Sequence, residues 1–228
     1  MEIVFDIETT AFDFASLSES QQEFILRYAE KEPTELLKSE KSEEAIRLLN
    51  LYPFTAKVIT IGMLEADSEK AFVLFDGDSK EDWFSDEKHV KYKAMQEIEM
   101  LKLFWEYVEK SDRLISFNGR QFDIPFLMMR SAINKIRPSK NLIKNRFDNR
   151  THLDLLEEFT FHGLIKKFNL DFYCHSFGIE SPKGKGVTGM DVNQLYKAGR
   201  IKELATYCSD DILATFQLYK YWKQYLNI

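Results

Sequence analysis

The sequence predicts an α/β protein, a mixed β-sheet flanked by α-helices, and three observations point there. The first segment, Glu2 to Thr9, is β-rich and apolar, as a strand buried on both faces would be, and it ends in acids. Three strand-like segments are followed by a helical one, a further strand and a run of helices, the succession of a layered domain. The chain is long and apolar enough to bury a substantial core, with 228 residues, 44% of them hydrophobic and 14% aromatic. The expected organisation is one domain over residues 1–228 with a helical insertion at 13–52 after the first strand.

Ile3, Val4, Phe5 and Ile7 make the first strand. From Ala11 to about Leu51 the composition shifts to Glu, Lys and Ser. Ser18 and Thr34 stand where helix N-caps would, ahead of Phe24, Ile25 and Tyr28 and then of Leu36, Leu37, Ala45, Ile46, Leu48 and Leu49. Pro53 closes this part. Lys57–Leu64 and Ala71–Phe75 read as two strands of a hairpin across the polar stretch Glu65–Lys70. Ala94–Lys110 reads as a helix with Ile98, Leu101, Phe104, Trp105 and Val108 on one face. Arg113–Phe117 is a strand, Asn118-Gly119 breaks it, and Ile124–Ile133 is a helix with Pro125 in its first turn. Helices are expected at Leu153–Phe159, Leu164–Phe177, Val192–Ala198 and Arg200–Tyr225.

Composition excludes several classes. With 9 Gly, 5 Pro and 30% charged residues the chain is neither collagen-like nor low-complexity. Cys174 and Cys208 form no CxxC pattern, and His89, His152, His162 and His175 lack the spacing of a zinc site. There is no basic-then-apolar leader and no apolar run near the roughly 20 residues that cross a bilayer, so no membrane partner and a cytoplasmic location are expected. A net charge of −6 argues against coating nucleic acid by bulk positive charge. The distribution is uneven, because residues 130–185 hold 11 Lys/Arg against 6 Asp/Glu and the remainder 20 against 31.

Three acidic segments carry the chemistry. Asp6 and Glu8 lie two apart on a strand, so both project from one face at its carboxyl end, where open α/β sheets place their crevices. Two such charges about 4 Å apart repel by roughly 4 kcal/mol at an effective dielectric near 20, and cations offset that; a solvated turn is the plainer alternative. Asp123, in Ser116-Phe117-Asn118-Gly119-Arg120-Gln121-Phe122-Asp123, stands beside a helix start and reads equally as an N-cap. In Tyr207-Cys208-Ser209-Asp210-Asp211, Tyr207 and Asp211 are at i and i+4 and share the edge of a core stripe, whereas Asp210 points about 100° away. On their own, these last acids read as solvated. His152 and Asp154 read as local structure.

Taken together, FDIETT at 5–10, SFNGRQFDIPFL at 116–127 and YCSDD at 207–211 resemble the three motifs of the DEDDy 3′-5′ exonucleases, in the DnaQ-like branch of the ribonuclease H-like superfamily. The wording is most similar to the proofreading exonuclease domain of family B DNA polymerases and to stand-alone predicted exonucleases related to it. The histidine subgroup would want a His at position 206, which is Thr. The resemblance implies a ribonuclease H-like sheet and metal-dependent hydrolysis at the 3′ end of single-stranded DNA, releasing 5′-mononucleotides. It implies Asp6, Glu8, Asp123 and Asp211 as ligands of two divalent cations, Mg²⁺ or Mn²⁺, and Tyr207 as the phenol that orients water. Substrate contacts are expected at Thr9, Asn118, Arg120, Phe122, Lys183 and Lys185. The partner implied is a nucleic-acid 3′ end, DNA in preference to RNA, with a DNA polymerase or repair protein as a further partner. The insertion departs from the family pattern, and no polymerase domain is expected in 228 residues. The loop 181–189 lacks the frame of a Walker A loop and reads as a lid over substrate or as a plain connector. Two alternatives stand beside this reading: an exoribonuclease, and a catalytically silent module that binds nucleic acid or a polymerase.

Overall fold

The computed structural model describes residues 1–78, 82–85, 90–145, 147–182 and 191–227. Among the described residues, seven strands form one sheet in the order β4-β5-β3-β2-β1-β6-β7. β1 (Glu2–Ala11) lies near its middle, antiparallel to β2 (Ala56–Glu65) and parallel to β6 (Arg113–Ser116). β3 (Ala71–Asp76) pairs antiparallel with β2 and parallel with β5 (Val90–Met95); β4 (Trp83–Ser85) and β7 (His152–Asp154) close the two edges. The expected mixed sheet and flanking helices are therefore present.

The pleat of β1 sorts its side chains between two cores. Ile3, Phe5 and Ile7 join Met100, Leu101 and Phe104 of α3 (Glu97–Lys110) and Ile124, Phe126 and Leu127 of α4 (Asp123–Ile133). Val4 faces the other way, with Cys208, Ile212, Phe216 and Tyr219 of α8 (Ile201–Tyr225). Asp6 and Glu8 share the parity of Val4 and so face α8. Alternation of burial on both faces explains why the strand is almost continuously apolar up to its acids.

The helix caps between β1 and β2 form as the sequence predicts. Ser18 caps α1 (Glu19–Leu26) in a reciprocal capping box with Gln21, and the Thr34 side chain accepts from Leu37 N–H at the start of α2 (Glu35–Arg47). Four expectations need correction. Ala94 and Met95 belong to strand β5, and α3 begins only at Glu97, where Gln96 and Glu99 make the cap. β4 was not anticipated. Leu153 and the residue on each side form β7, so α5 (Leu155–Phe159) starts at Leu155, capped by the Asp154 carboxylate on Leu156 N–H at 2.9 Å. Residues 164–169 are not helical; α6 (Leu170–Phe177) begins after Asn169, whose side chain accepts from Phe172 N–H. α7 (Val192–Lys197) precedes α8.

One glycine sets the depth of α8. Gly62 of β2 is the cross-strand partner of Asp6, and a Cβ there would stand 2.9 Å from Cys208 Sγ and 3.0 Å from an Ile212 methyl. The missing side chain lets α8 lie directly against the sheet beside β1. Among the described residues no helix is long and apolar enough to cross a membrane.

Candidate active site

β1 and α8 run antiparallel, and the structure brings their acids together. Carboxylate oxygens of Asp6, Glu8 and Asp211 lie within 4.8 Å of one another. Tyr207, one turn before Asp211, is half-buried beside them. The i, i+4 placement read from the sequence is thus what delivers the phenol and the carboxylate to the same place. A register shift between Glu8 and Thr9 interrupts the pairing of β1 with β2 just past the acids, and it resumes at Thr9 opposite Val58.

Asp123 falls outside that group of three but adjoins it. Its Oδ1 accepts from Ile7 N–H at 3.2 Å, which ties the start of α4 to β1 between Asp6 and Glu8. It is the first helical residue rather than the cap: Phe122 holds the cap position and makes no side-chain capping bond. The turn before it is built for close approach. Asn118 has φ +66°, and a Cβ on Gly119 would stand 2.3 Å from Ser116 Oγ and 3.3 Å from Asp123 Oδ2. Asp154 holds this turn from below, accepting from Asn118 N–H and Arg120 N–H at 2.9 Å each. His152 is buried, its Nε2 2.8 Å from Ser116 Oγ, and burial first, with the nearby Arg120 charge, pushes its pKa down to about 3. Both residues are structural supports for the turn.

The electrostatics are lopsided. Burial, then the charges of Asp123, Asp211 and Glu8, holds the Asp6 carboxyl well above the usual range. Burial, then Asp211 and Asp123, does the same to Glu8. Asp123 is raised to about 7, by burial ahead of the Asp154 charge and against its backbone hydrogen bonds. Burial raises the Tyr207 phenol too, ahead of the charges of Asp211, Glu8 and Asp6, so it stays protonated at neutral pH. Asp6 Oδ2 is buried and has no hydrogen-bond partner among the described residues. An orphaned carboxylate oxygen facing two further carboxylates, all hard oxygen donors, fits Mg²⁺ or Mn²⁺.

The other expected contacts are scattered around this centre. Thr9 is buried and donates its hydroxyl to Asn50 O at 2.7 Å. The Arg120 guanidinium donates to Lys144 O, and Phe122 packs 5.5 Å from Phe126. Lys183, Lys185 and most of the loop 181–189 lie outside the described residues. Two residues that the sequence reading did not single out border the site. Trp83 and Lys202, with Tyr207, Thr206, Asp210 and Pro182, line a cavity of about 480 Å³, and Lys202 Nζ stands 5.4 Å over the indole. Lys202 is five residues before Tyr207 on α8, the one signal that placed it nearby; Trp83 sits on a three-residue edge strand that carries no pattern.

A mixed sheet whose central strand presents acids to an antiparallel helix is the architecture that carries this site. The solved structure of the family B DNA polymerase from the hyperthermophilic archaeon Pyrobaculum calidifontis shares this fold, at a TM-score of 0.59 and 16% identity over 97% of this chain. The chain spans 24% of that polymerase. Residues 52–226 match the family described as predicted 3′-5′ exonucleases related to the exonuclease domain of PolB, and the chain belongs to that family. β1, with Asp6 and Glu8, precedes the matched residues. No curated protein sequence matches the chain.

Proposed function

We propose that the chain is a metal-dependent 3′-5′ exonuclease acting on single-stranded DNA in preference to RNA and releasing 5′-mononucleotides. The observation that carries this reading is the convergence of Asp6, Glu8 and Asp211 within 4.8 Å, in a family of predicted exonucleases. Asp6, Glu8 and Asp211 would hold one divalent ion, and Asp123 would join Asp6 at a second. When bound, the ions offset the acids' mutual repulsion and act as Lewis acids towards the scissile phosphodiester.

The chain's own residues do the rest. Tyr207, kept protonated by burial and neighbouring carboxylates, serves as a hydrogen-bond donor that orients the attacking water; a phenol in that state is no general base. The Asn118–Gln121 turn, fixed on Asp154, keeps Asp123 against β1. Thr9, Asn118, Arg120 and Phe122 flank the path of the terminal nucleotides, and Lys183 and Lys185 belong to the same proposed contact set. Residues 1–228 act as one domain, with 13–52 inserted after the first strand. A DNA polymerase or repair protein is the proposed partner and the cytoplasm the proposed setting.

The test follows 5′-labelled single-stranded DNA and the matching RNA on a gel with Mg²⁺, Mn²⁺ or EDTA, beside Asp6→Ala. The expected result is a ladder shortening from the 3′ end with metal, faster on DNA and missing in the variant. A folded chain giving no ladder under any metal would refute the reading.

A further inference from the structure

The nuclease reading accounts for the 3′ end of a strand and says nothing of what holds the remainder; the present inference rests on that reading. Charge is distributed unevenly along the chain. Residues 135–150 hold six Lys/Arg against one acid, whereas residues 13–52 hold five against nine. Beside the basic stretch the surface presents large apolar side chains to water: Phe147 is 69% exposed, Leu164 84%, and Phe161, Phe168 and Phe172 are exposed as well. Exposed aromatics gathered in this way mark a binding surface.

Their arrangement is ordered. Phe168 and Phe172 stack with ring centroids 4.1 Å apart and 11° between planes, and Lys166 Nζ stands 5.2 Å over the Phe168 ring. Phe147 meets the His162 ring edge-on at 4.8 Å, which joins the basic stretch to the turn that carries Phe161. Phe161 and His162 both have positive φ, 50° and 57°. Buried Glu157 secures that turn, accepting His162 N–H on its carbonyl at 2.7 Å and Lys167 on its carboxylate.

Contacts join this surface to the turn that precedes Asp123. Arg120, three residues before Asp123, donates to Lys144 O, and Phe117 packs 5.4 Å from Tyr173, the neighbour of Phe172. Cations interleaved with stacked, exposed rings match a single strand, in which every base offers a π face and every phosphate a charge. We infer that the surface formed by Phe147, Phe161, Phe168 and Phe172 with Lys144, Arg150 and Lys166 is the docking track for the single-stranded DNA whose 3′ end enters the acid cluster.

The experiment measures fluorescence anisotropy of 5′-labelled oligodeoxynucleotides of roughly 4, 8 and 16 nucleotides, with the full chain in EDTA so that binding is read without hydrolysis. Affinity should rise with length. Phe147→Ala with Phe168→Ala and Phe172→Ala should raise the Kd for the longest strand by about tenfold or more and that for the shortest much less. Lys144→Ala with Arg150→Ala and Lys166→Ala should reduce the slope of log Kd against log salt by about 2. All six positions are exposed, so the variants should melt as the parent does. Length-independent binding by the parent, parent-like binding of the longest strand by both variants, or tighter binding to phosphatidylserine vesicles than to DNA would each overturn the track. Length-dependent binding lost in the variants, in a chain that yields no hydrolysis ladder, would refute the nuclease reading and support the track.

Discussion

The two ends of β1 place carboxylates of that strand against tyrosines of α8, with opposite outcomes. At the amino end Glu2 accepts from Tyr219 and from Arg113, and Lys223 Nζ stands 3.6 Å away. Burial pushes the Glu2 carboxyl up, but those hydrogen bonds and charges outweigh it and hold the carboxyl below its ordinary range. At the carboxyl end Asp6 and Glu8 meet Tyr207 and Asp211, and among the described residues no cation forms an ion pair with Asp6 or Glu8; both are pushed well above the ordinary range. The strand, the helix and the residue types are shared. What differs is that one acid is satisfied by cations and a phenol of the protein while the others face mainly further acids, the kind of perturbation that marks a candidate functional site.

The largest expected effect breaks the carboxyl end. Asp6→Asn should lower hydrolysis by about a thousandfold or more while raising the melting temperature of the metal-free chain near neutral pH, because it removes a buried charge that the fold disfavours. A melting temperature that falls instead would refute the electrostatic account even if activity is lost.

A pH series sharpens the same contrast. A carboxyl whose pKa is raised by folding favours the protonated native state, so its stabilisation is fully present below the unfolded pKa and is lost as pH rises through the folded one. With Asp6 and Glu8 raised and Asp123 at about 7, the chain in EDTA should melt lower at about pH 8 than at about pH 5. Mn²⁺ should restore most of the difference at the higher pH by binding the native state. Equal melting curves at both pH values in EDTA would contradict it.

Tyr207→Phe should act more mildly, lowering turnover by about ten- to a hundredfold with the Mn²⁺ stabilisation intact, since it deletes orientation and keeps every carboxylate. Loss of that stabilisation would make Tyr207 part of the ion site. The smallest effect belongs to the amino end. Glu2→Gln should leave hydrolysis unchanged and cost about 0.5–1 kcal/mol, modest because the pair is partly open to solvent. Here the sign reverses: a lowered carboxyl pKa stabilises above the unfolded value, so the difference from the parent should fade as pH falls through the carboxylate range. A deficit that persists in acid would point to packing.

The grouping of the candidate site residues was more legible in the sequence than the sheet that carries it. Asp6 with Glu8, and Tyr207 with Asp211, follow from two periodicities that hold whatever surrounds them, 2 on a strand and 3.6 on a helix. Ser18 and Thr34 were legible as caps for a similarly local reason. The missed strands depend on their neighbours. β5 reads Val90-Lys91-Tyr92-Lys93-Ala94-Met95 with alternate residues buried, but its end runs into a good helical stripe. β4 and β7 span three residues each, too short for a pattern and formed because an adjacent strand offers hydrogen bonds. Asp123 was misplaced by one position, since a carboxylate beside a helix start looks like a cap until its real partner, the N–H of Ile7 on a strand more than a hundred residues earlier, is seen.

Gly62 has a consequence for how this chain can change over evolutionary time. Tyr207 and Asp211 ride on α8 as one rigid jaw and Asp6 and Glu8 on β1 as the other, with the gap set where Cys208 and Ile212 rest on a backbone without a side chain. A single methyl at that position would pry the jaws apart by a few tenths of an ångström, leaving every acid in place and the calipers mis-set. Mutational robustness of the gap between the acids therefore hinges on a residue outside the acid cluster.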